Sequence, residues 1–112
     1  MRFFVPLALV TIAIILSACN QSQTQPTTQG AKPSDETLKN ALNLYSQKKS
    51  EGVDFSNSPC LGKIADDWVL DIAHKPRIDA DNKAENQCAD FREGRAHHFI
   101  ELDPQGQLIN TY

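Results

Sequence analysis

Three regimes of hydrophobic and polar positions follow one another along the chain. Residues 3 to 18 are nearly all apolar, residues 20 to 33 are nearly all polar, and from Ser34 onward the two kinds alternate. In the third regime Leu38, Ala41, Leu42 and Tyr45 recur at helical spacing and predict one apolar stripe. Ser34 can cap the exposed amides, Asp35 and Glu36 fall in the positive first turn, and Lys48 and Lys49 fall near the negative end. Gly52 offers a stop, so the expected helix runs over 35 to 50. Trp68 to Ala73 is an apolar run interrupted by Asp71, and in a strand Trp68, Leu70 and Ile72 would share a face. Ile64, Trp68 and Ile72, spaced by four, would also suit a helix; length and β-branching favour the strand, which Pro76 ends for want of an amide donor.

The last segment predicts a hairpin over about 95 to 112. Asp103-Pro104-Gln105-Gly106 has turn chemistry: Pro104 presets φ, the Asp103 carboxylate can take turn amides, and Gly106 accepts a left-handed conformation. His98, Ile100 and Leu102 then line one face, and His97, Phe99 and Glu101 the other. The expected fold class is α+β: one amphipathic helix at the start of the domain, packed on a small antiparallel sheet that includes the hairpin.

The first regime is an export signal by its charge order. Arg2 precedes the apolar run, which is shorter than the ~20 residues of a membrane-spanning helix. The run ends in Leu16-Ser17-Ala18-Cys19. These four residues resemble the lipobox of bacterial lipoproteins, and the resemblance covers residues 1 to about 20. It implies removal of residues 1–18, acylation of Cys19 as the new first residue, and anchorage in a lipid bilayer outside the cytoplasm. In the same family an Asp after the modified Cys retains the protein in the inner membrane; Asn20 stands here, which favours the outer membrane if the source is Gram-negative. Residues 19 to 33 are then the lipidated start and a polar tether with no large apolar side chain to bury. A flexible coil of that length spans roughly 20 Å. A single small globular domain is expected over 34 to 112.

Charge narrows the partners. The chain has 11 Lys and Arg against 14 Asp and Glu; without Arg2 the balance is 10 against 14, a net charge of −4. Lys48-Lys49 is the longest basic run, so nucleic acid is not an expected partner.

With Cys19 acylated, Cys60 and Cys88 remain. In an exported domain of this size the pair implies a structural disulfide, closing a loop worth roughly 3.6 kcal/mol. A redox pair or metal thiolates are the alternatives, but the spacing is not Cys-x-x-Cys.

The candidates for chemistry are His74, His97 and His98, with Asp71 and Glu101 within reach in some folds. Adjacent strand residues point apart, so His97 and His98 should diverge unless the strand bulges. His97 with Glu101, or His74 with His98, could meet, and a zinc site would need three or four such groups to converge. Asp79 to Asn86 looks like a calcium loop only superficially: Lys83, Ala84 and Asp90 stand at its fifth, sixth and twelfth positions. Asp66-Asp67 reads as a solvated turn. Ser56 and Ser58 carry no nucleophile signature, and no Walker, dinucleotide or His-Glu-x-x-His motif occurs. No cofactor is expected. Two functions follow: a non-enzymatic binding, inhibitory or structural accessory module with an envelope protein as partner, or a small metal-binding or hydrolytic domain using His74, His97 and His98.

Overall fold

Ser34 starts the first element as its side chain requires. Its hydroxyl accepts the Thr37 amide at 3.0 Å and meets the Thr37 hydroxyl at 2.8 Å. In the computed structural model, which describes residues 31–112, helix α1 spans Asp35–Ser50. The apolar start, Cys19 and most of the polar stretch after it lie outside the described residues. Strand β1 spans Cys60–Ala65, β2 Trp68–Ile72, β3 His98–Leu102 and β4 Leu108–Thr111; a single helical turn, α2, covers Ala89–Arg92.

The helix occupies the expected 35 to 50, but its inner stripe differs from the expected one. Ala41 and Tyr45 are buried with Thr37, and Leu38 and Leu44 pack beside them, whereas Leu42 is 49% exposed. Leu42 lies between the Leu38–Tyr45 ridge and solvent, too far round the helix to reach the sheet.

The sheet has the order β1-β2-β3-β4. It is mixed, and this corrects the all-antiparallel expectation. The hairpins β1–β2 and β3–β4 are antiparallel, but β2 and β3 run parallel in unbroken register from Trp68↔His98 to Ile72↔Leu102. Parallel pairing needs a crossover, and residues 73–97 supply it. The sequence of β1 hides its strand character: Leu61 and Ile64 are three apart, yet both are buried. Register shifts on either side of Gly62-Lys63 re-aim the chain between them.

The sheet divides the interior into two layers. Toward α1, Leu61, Ile64, Leu70, Ile72, Ile100 and Leu102 pack against Ala41, Tyr45 and Phe55. On the other face Val69, Cys88 and Ala96 form a smaller cluster with Cys60, Phe91 and Phe99. Cys60 and Cys88 are bonded, with Cα atoms 4.9 Å apart, so the crossover is fixed to the start of β1. The hairpin turn is built as its residues dictate. Asp103 Oδ1 accepts the amides of Gln105 at 2.9 Å and Gln107 at 2.8 Å. The Tyr45 hydroxyl donates to the Pro104 carbonyl at 2.9 Å, and a Cβ at Gly106 would stand 2.9 Å from the Tyr45 ring. Glycine is thus needed there both for its φ of 87° and for the close approach of the helix. Among the described residues no helix is long and apolar enough to cross a membrane.

Candidate functional site

Asp71 and Glu101 each interrupt an apolar strand. Parallel register sets them directly beside one another, on the sheet face turned away from α1. Adjacent strands lie about 4.8 Å apart, so two carboxyls share one small space. That space is a cavity of about 130 Å³, walled by Val69, Phe91, Phe99 and Cys88 and crossed by Arg77. Phe91 and Phe99 meet edge to face at 4.9 Å, and Tyr112 stacks on Phe99 at 5.3 Å.

The two acids are served unequally. Glu101 is 6% exposed, and Arg77 Nη1 donates to its two oxygens at 3.1 and 3.4 Å. Arg77 Nη2 donates onward to the Asp81 carbonyl at 3.2 Å. Asp71 has no such partner among the described residues: its Oδ1 is buried and accepts no hydrogen bond from them. Burial first, then the charge of Glu101, pushes the Asp71 carboxyl up to about 7. A cleft that holds a perturbed carboxyl beside a second charged pair is the candidate site of this domain.

Asp81 stands at the margin of this cavity with its side chain enclosed. One oxygen takes the Ser58 hydroxyl and His74 Nδ1, the latter at 2.9 Å; the other takes the amides of His74 at 3.1 Å and Ile78 at 2.8 Å. Burial raises its proton affinity, but the bonds from His74, Ser58 and Ile78 outweigh it and hold the carboxyl down at about 2. Ser58, His74 and Asp81 do not make a nucleophilic triad. In a triad the serine and the acid sit on different nitrogens of the imidazole. Here Ser58 Oγ, 3.1 Å away, and Asp81 Oδ1 meet the same Nδ1, and Ser58 is 1% exposed. The group is a clamp that fixes the start of the crossover to the segment before β1. Asp81→Ala leaves two amides and a hydroxyl without their acceptor, and is expected to cost about 3 kcal/mol in a denaturant titration at neutral pH. In the parent protein this carboxylate supports the fold above about pH 4, its unfolded value, and the support is lost as pH falls toward about 2.

The three histidines expected as metal candidates do not converge. His74 follows the end of β2, whereas His98 pairs with Trp68 at its beginning, six residues or about 20 Å away. His97 meets Asp67 instead of Glu101. Asp67, at φ 65° in the β1–β2 turn, accepts the His97 amide at 2.9 Å and Nδ1 at 2.5 Å. The bond from His97 Nδ1 foremost, with a lesser part from the His97 amide, holds the half-buried Asp67 carboxyl below its ordinary value. His98 Nε2 stands 3.5 Å from the other oxygen, and its ring lies over Trp68 at 4.8 Å. Asp67 therefore bridges the two diverging rings, and at the turn expected at Asp66-Asp67 one acid is bonded to His97 while the other is fully exposed, 3.8 Å from Lys63 Nζ. Among the described residues no three His, Cys, Asp or Glu side chains are disposed to hold a metal ion.

Asp71 was visible as the interruption of an apolar run and Glu101 as a possible partner of His97, but Arg77, Asp81 and Ser58 were not visible as members of this site. Arg77 lies 24 positions from Glu101, and Ser58 lies 16 from His74 and 23 from Asp81, and the register that unites them is set by the crossover. Comparison with family models, with curated proteins and with solved structures finds no match for this chain.

Proposed function

We propose that this chain is a lipoprotein of the bacterial cell envelope, held to a bilayer by acyl groups on Cys19, and that its domain is a non-enzymatic binding module. Leu16-Ser17-Ala18-Cys19 at the end of the apolar run carries the first half of this reading. The Cys60–Cys88 bond supports it, because such bonds persist where thiols are oxidised, outside the cytoplasm. Asn20 favours the outer membrane of a Gram-negative source.

The cavity at Asp71 and Glu101 supports the second half. It presents a carboxyl with one oxygen unpartnered among the described residues, set between aromatic walls, while Cys60 and Cys88 are joined and Ser58 is locked in the Asp81 clamp. An envelope protein is the partner that fits a tethered module of this size.

The test is mass spectrometry of the full chain produced in a bacterium and fractionated. The expected product begins at Cys19, carries a diacylglyceryl thioether and sediments with membranes, and Cys19→Ser abolishes both the mass increment and the sedimentation. An unmodified product beginning at Met1 in the cytosol would overturn the proposal.

A further inference from the structure

We infer that the cavity between β2 and β3 receives a primary ammonium group at the end of an unbranched alkyl chain, bonded by Asp71 and Glu101 with its methylenes against Phe91 and Phe99. The inference rests on the reading of the domain as a binding module and names what the module binds.

Four observations converge on this chemistry. Asp71 Oδ1 is buried without a partner, so the site holds an acceptor that nothing among the described residues satisfies. Arg77 is the cation facing the cavity, and its hydrogen bonds go to Glu101, the Asp81 carbonyl and Asn82. Arg77 lends Asp71 part of its charge but none of its hydrogen bonds, and a cation that donates hydrogen bonds supplies the missing donor and further charge at once. The walls beside the acids are the ring of Phe91 and the ring of Phe99 at right angles to it, which suit methylenes below an ammonium head. The cavity, about 130 Å³, is well under the ~300 Å³ at which pockets for whole small molecules begin, so it fits a chain end. A calcium ion would want six or more oxygens at once, and the cavity has one uncommitted carboxyl.

The same head group could arrive on a free alkylamine or on a lysine side chain of a partner protein. The full chain, held in detergent micelles and labelled with carbon-13 at its carboxyls, is titrated with n-butylammonium, with n-butanol and with a short acetylated peptide containing one lysine. Measurement at about pH 8 lies above the value of about 7 to which the Asp71 carboxyl is pushed. Saturable shifts confined to the Asp71 and Glu101 carboxyl signals are expected with butylammonium, weaker by at least tenfold in Asp71→Asn, with the exposed Asp66 signal as the internal reference. Tighter binding of the peptide identifies a protein side chain as the source, and equal binding identifies a free amine. An equal shift at Asp66, or an unchanged response in Asp71→Asn, overturns the inference. Butanol alone shifting the cavity signals also overturns it while leaving the binding module standing. Silence to all three probes removes both the ammonium site and the cavity's part in the proposed function.

Discussion

Asp71→Asn is expected to raise the thermal midpoint of the protein at about pH 8 and to leave it nearly unchanged at about pH 4. In an unfolded chain this carboxyl ionises near 4. In the fold, burial and then Glu101 push it up to about 7. Below about pH 4 the group is protonated in both states and has no effect on the balance. Between about 4 and 7 the unfolded chain gives up the proton first, so stability declines as pH rises, and above about 7 the whole penalty stands. At 1.36 kcal/mol for each pH unit the ceiling is about 4 kcal/mol; solvent at the open side of the cavity reduces this to about 2 kcal/mol, or roughly 10 °C for a domain of this size. Melting both proteins at the two pH values decides it, and a variant no more stable than the parent at the higher pH sinks the claim. A gain on removal would mark Asp71 as a residue kept at the expense of stability, as binding residues often are.

The second large effect is expected at the staple. Replacing Cys60 and Cys88 together by Ala frees a loop spanning 28 positions. Constraint of the unfolded chain alone amounts to about 3.6 kcal/mol for that loop, which lowers the midpoint by roughly 20 °C. A further loss is expected from packing, because Cys88 belongs to the small second cluster with Val69 and Ala96. For a domain at the low end of the usual range, about 5 kcal/mol, the double variant is left near the threshold of folding at physiological temperature. Circular dichroism melts of the parent, the reduced parent and the double variant measure it. A midpoint within about 5 °C of the parent's would show that the bond does not constrain the unfolded chain as loop closure requires.

What the sequence made legible was local. Helix α1 announces itself through Ser34, its first-turn acids and its periodic apolar positions, all within one stretch of chain. The β3–β4 hairpin is equally local, since Asp103, Pro104 and Gly106 encode the turn and the alternation on β3 encodes its faces. The disulfide followed from cysteine number and expected compartment. What was hidden depends on long connections. Parallel pairing of β2 with β3 is decided by how residues 73–97 cross over, and no short-range pattern records that. The expected inner position of Leu42 failed because stripes at i+3 and i+4 are equivalent until a partner surface selects one. The candidate site failed in a related way. The histidines drew attention by their chemistry, whereas the side chains that gather about the cavity are a strand Asp, a strand Glu and an Arg from the crossover, each unremarkable alone.

Cys88 has a second role through its position. It forms one wall of the cavity and, through its bond to Cys60, fixes the loop that bears Arg77 and Asp81 against the sheet. Reduction of that bond would therefore loosen the wall at Cys88 and one tie of the crossover together, leaving the Ser58, His74 and Asp81 hydrogen bonds as the crossover's other attachment.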